Sequence, residues 1–126
     1  TPPEPEKPKW FKFLSAEDFF AADYRPEWIV PRLLVRGQPG IIGGPSKTLK
    51  TSVLIDLAMS VAAGVPFLGE FPVPHRMRVA VASGESGLHT LQETAVRVAK
   101  ARGIADPGRA LKGWFHVSGT LPTLSD

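Results

Sequence analysis

Cysteine is absent from the 126 residues, which excludes disulfides and thiolate metal sites and leaves the compartment open. No apolar run approaches the ~20 residues that a bilayer-spanning helix needs. The start of the chain lacks a signal-peptide pattern. The expectation is a soluble, cytoplasmic protein with no membrane partner. No dense block of Lys and Arg occurs, and the net charge is +3. That mild basicity permits nucleic-acid binding without arguing for it. His75, His89 and His116 lie far apart, with no Cys or acid partners at ligand spacing, so they do not form a metal site. Ser83-Gly84-Glu85-Ser86-Gly87 is not a nucleophile elbow, because Glu stands where the Ser must be. Internal repeats are lacking. An apolar fraction of 43% is enough for a core, and the length suits one small domain or a piece of a larger one.

The chain is organised around Ile41-Ile42-Gly43-Gly44-Pro45-Ser46-Lys47-Thr48-Leu49-Lys50-Thr51. A short apolar strand runs into a glycine-rich loop, the loop ends in Lys-Thr, and an apolar helix follows at once. Residues 44–51 fit the phosphate-cradling pattern G-x-x-x-x-G-K-[ST] at every position but one, where Leu49 replaces the second Gly. Backbone N–H groups of such a loop wrap phosphates, and the helix N-terminus adds partial positive charge. In that chemistry Lys50 reaches the β- and γ-phosphates, the Thr51 hydroxyl holds Mg²⁺, and Ser52 completes the nucleotide-binding set with Gly44 to Thr51. The bland alternative is a strand-to-helix turn that happens to contain Lys-Thr.

Residues 1–14 begin with four prolines and alternating charges and read as an extended or disordered lead-in. Trp10, Phe11, Phe13 and Leu14 are expected to pack on the domain. Residues 15–40 form a second segment. Ser15 is an N-cap followed by first-turn acids, which predicts a helix over 16–22 with Phe19 and Phe20 as core anchors. Pro26, Pro31 and Pro39 then exclude long elements. Trp28-Ile29-Val30 and Leu33-Leu34-Val35 read as short extended pieces, with Trp28 packing rather than stacking on a base. Residues 41–126 hold the main unit. A helix over 50–63 is apolar nearly all round and therefore buried. Its single acid, Asp56, reads as partly exposed or paired. Gly64 stops that helix. Residues 78–83 form a strand of small apolar residues, as in a parallel strand covered on both faces. A helix over 88–102 places Leu88, Leu91, Ala95 and Val98 on one face, pairs Glu93 with Arg97 on the other, and ends at Gly103. Trp114-Phe115-His116-Val117 is a third strand. His75, Arg76 and Arg78 read as a solvated basic edge.

Strand, P-loop, helix, strand, helix, strand is the start of a doubly wound α/β domain. With Ser83-Gly84-Glu85 at the second strand's end, residues 28–103 resemble the RecA-like P-loop ATPases. Within them they resemble the RepA-type and DnaB-type replicative helicases and their primase-helicase relatives. Trp28-Ile29-Val30-Pro31 ahead of Ile41-Ile42-Gly43-Gly44 is part of that likeness. The resemblance implies a mostly parallel sheet flanked by helices, ATP and Mg²⁺ as cofactors, single-stranded DNA as partner, and a ring-forming homo-oligomer. It implies that Glu85 polarises the attacking water and that Lys50 stabilises charge. Lys47 resembles a second phosphate-facing lysine, and solvent exposure is its open alternative. Two departures stand out. A Cβ at Leu49 crowds a position where Gly permits the closest approach. An apolar strand ending in Asp to position Mg²⁺ is missing, and its place in the resembled family lies beyond residue 126. The 126 residues are therefore expected to be the N-terminal half of an ATPase core, inactive alone. Two other readings stay open: a nucleotide-dependent binding or assembly module without turnover, and a P-loop small-molecule kinase.

Overall fold

The computed structural model describes residues 12–45, 49–84 and 87–121. Eight elements follow in order: α1 (Ala16–Ala21), β1 (Trp28–Val30), β2 (Leu34–Val35), α2 (Lys50–Ala63), β3 (Val79–Ala82), α3 (Leu88–Arg102), α4 (Pro107–Ala110) and β4 (Phe115–Ser118). Among the described residues no helix is long and apolar enough to cross a membrane.

The two long helices form where the sequence analysis places them. α2 carries apolar side chains around most of its circumference and buries Ile55, Ala58, Met59, Val61 and Ala62. Each of the larger ones contributes about 1.5–3 kcal/mol on burial. Gly64 ends α2 in the left-handed region at φ 74° and donates its N–H to the Ser60 carbonyl, a conformation glycine adopts without a Cβ penalty. α3 buries Leu91, Thr94, Val98 and Ala99 along one stripe and ends the same way at Gly103, φ 70°. Lys100 and Arg102 in its last turn complement the negative end of the helix dipole. Leu88, expected on the buried stripe, is 58% exposed, because the first turn of α3 projects past the core. Arg97 turns to Thr94 Oγ1 at 3.5 Å rather than to Glu93.

β3 and β4 pair in parallel, from Val79 opposite Phe115 to Ala82 opposite Ser118, with α3 and α4 as the connection. Their inner face meets α2 and α3 around Ile55, Met59, Val81, Leu91, Val98 and Leu111. The sequence reading of a strand covered on both faces is corrected here. Val81 is buried whereas Ala80 and Ala82 are exposed, the alternation of a strand covered on one face. The expected mostly parallel sheet is likewise smaller: one parallel pair, and a separate antiparallel hairpin of β1 with β2. Arg32 at φ 70° turns that hairpin, and Leu33 lies in the turn rather than the strand. Val30, wholly buried, fixes the hairpin to α2 together with Val61 and Phe67. Trp28, expected to pack, keeps 42% of its surface exposed, since it alternates with Ile29 at the outer end of the strand.

Two further expectations are overturned. Ile41-Ile42 takes no strand conformation, and Ile41 is 95% exposed. An apolar pair flanked by Gly40 and Gly43 gains too few ladder bonds to hold an extended form without a neighbouring strand. α1 begins as expected, with Ser15 Oγ accepting from the Asp18 N–H at 3.1 Å. Yet it buries no residue, and Phe19 and Phe20 pack edge to face on each other at 5.1 Å instead of anchoring the core. A six-residue helix has no second turn with which to extend a buried stripe. Trp10 and Phe11 lie outside the described residues.

Two polar clamps tie the helices to the loops. Asp56, 4% exposed, accepts from Ser60 Oγ at 3.0 Å and the Leu68 N–H at 3.1 Å through one oxygen. Its other oxygen pairs with Arg102 Nε at 3.0 Å. The pairing expected for Asp56 is thus present, but deep inside. Gly69 sits beside it at φ 72°, and a Cβ there would collide with Arg102 Nη1. Arg76, read from sequence as part of a solvated edge, is exposed together with His75 and Arg78, and it also stacks 3.9 Å over the Trp114 ring. Its Nε donates to the Ala62 carbonyl at the end of α2 and its Nη2 to the Ala110 carbonyl.

Removing one partner of a buried pair strands the other, so Asp56→Ala should lower the unfolding free energy by about 3 kcal/mol in denaturant titration. Asp23→Ala, which breaks an exposed 3.0 Å pair with Arg25, should cost under ~1 kcal/mol in the same measurement.

Candidate nucleotide site

The N-terminus of α2 is the centre of the site. Leu49 is its N-cap, with no side-chain cap bond, and the first turn holds no acid. The first hydrogen bond of the helix runs from the Val53 N–H to the Leu49 carbonyl at 2.9 Å. The N–H groups of Lys50, Thr51 and Ser52 therefore have no acceptor within the helix, and they carry its partial positive charge. Among the described residues no side chain caps them, and the first turn carries no acid.

Lys50 closes the loop. Its Nζ donates to the Gly44 carbonyl at 2.8 Å, so the ammonium turns back across the mouth of the loop instead of into solvent. That bond joins the first and seventh residues of the eight-residue motif. Gly44, Pro45, Leu49, Lys50, Thr51 and Ser52 are all described, and Thr51 and Ser52 are half-buried on the first turn. Ser46, Lys47 and Thr48 lie outside the described residues. Leu49 does not strain the loop: at φ −81°, ψ 25° it occupies backbone space open to any L-residue. The crowding expected from the missing glycine is thus not a backbone conflict.

The second half of the site is set by chain direction. The Met77 N–H bonds the Val61 carbonyl at 3.0 Å, which puts the end of α2 at the start of β3. α2 rises about 16 Å from Val61 back to Lys50, and the strand from Met77 to Ser83 spans about 20 Å. The first turn of α2 and the Ser83-Gly84 end of β3 thus reach the same edge of the domain. There the ladder gains one bond beyond the strand, from the Ser83 N–H to the Ser118 carbonyl at 3.0 Å. α3 opens from this edge at Gly87. Glu85, the residue expected to act on water, lies outside the described residues, although Gly84 and Gly87 on either side of it stand at this edge. Close packing shapes the surroundings: a Cβ at Gly84 would come within 2.9 Å of Leu121, and one at Gly119 within 3.1 Å of Leu88. His89 and Thr90, 3.3 Å apart, face the same edge from the first turn of α3. Sequence reasoning weighed His89 only as a metal ligand; its place four residues past Glu85 was the available signal.

The described groups suit a phosphate-bearing ligand with a divalent ion: uncapped amides, the Lys50 ammonium held at the loop, and the Thr51 and Ser52 hydroxyls on the first turn. A groove of about 480 Å³ between α2, β3 and the hairpin is lined mainly by apolar residues such as Leu34, Leu57, Val61 and Val79, with Arg78 its one charged residue.

A family model described as "AAA domain" matches residues 2–124, nearly the whole chain. Neither the comparison with curated proteins nor that with solved structures returns a match. The family is one of P-loop ATPases, so the P-loop NTPase fold and nucleotide chemistry, usually with Mg²⁺, come with it. The chain belongs to the AAA-domain family of P-loop ATPases.

Proposed function

We propose that the chain is the ATP-binding part of a RecA-like ATPase that couples hydrolysis to work on single-stranded DNA, as a helicase or primase-helicase does. The observation that carries the nucleotide site is Lys50 held across the loop at Gly44, directly ahead of a helix N-terminus free of caps and acids. In this reading the backbone from Gly44 to Ser52, Ser46, Lys47 and Thr48 included, wraps the triphosphate. Thr51 would hold Mg²⁺, which would supply positive charge to neutralise the phosphates. Lys50 reaches the same phosphates and stabilises charge in the transition state. Glu85 orients a water for in-line attack, and Lys47 adds a second cation. An arginine from a neighbouring subunit of a homo-oligomeric ring completes the site, in the cytoplasm. The DNA partner and the ring rest on the resemblance of the Ser83-Gly84-Glu85 strand end to the RepA-type and DnaB-type helicases.

Lys50→Ala in the full-length protein should weaken Mg-ATP binding by about tenfold or more in calorimetric titration, the cost of one charge-assisted phosphate contact. Unchanged affinity removes the site. Glu85→Gln should keep Mg-ATP binding and lower phosphate release by about 100-fold; full turnover in that variant discards the role of Glu85. Single-stranded DNA should raise the rate of wild-type phosphate release. Saturable Mg-ATP binding without any release points instead to an assembly module, and ADP formation that needs a small-molecule acceptor points to a kinase.

A further inference from the structure

The edge of the domain where β3 begins carries a surface that the nucleotide site does not use. Trp28 opens β1 and keeps 42% of its surface exposed. It borders a hollow of about 440 Å³ with Ile29, Arg36, Pro74, His75 and Met77. A second hollow of about 490 Å³ adjoins the first through Glu27 and Arg36, and Tyr24 and Arg25 line it. Tyr24 is 63% exposed. On the other side, Ile29 and Met77 lead from the first hollow into the groove that holds Arg78. The three form one track in which exposed aromatic rings and arginines interleave. The cations of the track are not committed to the fold. Arg25 and Arg36 are held by pairs with Asp23 and Glu27 at 3.0 and 3.2 Å, and exposed pairs of this kind hold weakly. Arg78 is exposed, and its side chain forms no ion pair among the described residues.

Resting on the single-stranded DNA reading above, we propose that this track is the surface that holds the strand. Tyr24 and Trp28 each take the face of a base, and Arg25, Arg36 and Arg78 take phosphates. Every base has a π-face, so stacking on an aromatic ring asks for an unpaired strand but for no particular sequence. A duplex hides those faces between its base pairs, which selects the single strand. The planar guanidinium matches a phosphate with two parallel N–H donors, so a phosphate can take the place of Asp23 or Glu27 as its partner. Two adjoining hollows, each with one ring and one arginine, suit successive nucleotides of a chain. The track is also separate from the nucleotide site. Arg78 and Ser83 stand at opposite ends of β3, about 17 Å apart along the strand, so DNA and triphosphate do not compete for the same groups.

The test titrates fluorescein-labelled oligo-dT with the full-length protein by anisotropy, over a series of KCl concentrations. With no nucleotide present, it reads the DNA surface independently of the phosphate site. Trp28→Ala should weaken binding about tenfold, whereas Trp28→Phe keeps a ring and should stay within about threefold of the wild type. Arg78→Gln should lower the slope of log affinity against log salt by about 0.7, the share of one single-strand phosphate. Its thermal unfolding should match the wild type, because the Arg78 side chain holds nothing in the fold. A change of salt slope without a change of Tm is a readout that a structural role does not give. Wild-type affinity in Trp28→Ala, or a wild-type slope in Arg78→Gln, overturns the proposal. A Trp28→Ala protein with wild-type DNA affinity and an altered sedimentation coefficient also overturns it, and assigns the track to a protein contact. If the wild type binds no oligo-dT at all, the DNA reading itself fails and the track falls with it. If the wild type binds and both variants bind as it does, only the track is lost.

Discussion

A carboxylate in the middle of a buried helix has to be paired or neutral, and the pairing of Asp56 constrains everything around it. One oxygen takes the Ser60 hydroxyl and the Leu68 N–H, and the other takes Arg102. Three elements meet there: α2, the last residue of α3, and the turn before β3. The turn must carry glycine at Gly69, where the backbone is left-handed and Arg102 leaves no space for a Cβ. Without the pair, α3 would be held to α2 by apolar contact alone, which fixes distance better than register. Buried ion pairs of this kind add little net stability against an apolar alternative, but they make wrong arrangements costly.

That clamp matters to the site because α2 is its foundation. The helix is held along its length by Ile55, Ala58, Met59 and Ala62 in one core and by Val61 in the other. At its far end Arg76 bonds the Ala62 carbonyl while lying over Trp114. Its first turn leaves the N–H groups of Lys50, Thr51 and Ser52 without acceptors within the helix. Rigidity at one end and unsatisfied amides at the other is what an anion site on a helix requires. The side-chain bond from Lys50 to Gly44 ties the described part of the loop in front of it.

The sheets contribute less than a doubly wound pattern suggests. Two pairs of short strands, one parallel and one antiparallel, are marginal by themselves and depend on the helices that cover them. β3 is covered on one face, and an apolar groove follows its other side. The exposed Ile41 and the aromatic cluster of Phe19, Phe20 and Tyr24 belong to the same picture: apolar residues that the core does not take in.

The sequence by itself determined where the two long helices lie, Lys50–Ala63 and Leu88–Arg102. Periodicity and the stop at Gly64 and Gly103 are local, so a short window contains all the information. It also determined the phosphate-loop pattern, because spacing between Gly44, Lys50 and Thr51 is a property of the chain alone. Tertiary structure decided what depends on distant partners. It decided that Asp56 lies inside, since Arg102 is 46 residues away. It gave the exposed Arg76 its partners at Ala62, Ala110 and Trp114, denied Ile41-Ile42 a strand, and left Phe19 and Phe20 outside the core. The physical reason is common to these cases. A helix satisfies its own backbone, whereas a strand, a buried charge or an apolar anchor is completed only by a group the chain brings from elsewhere.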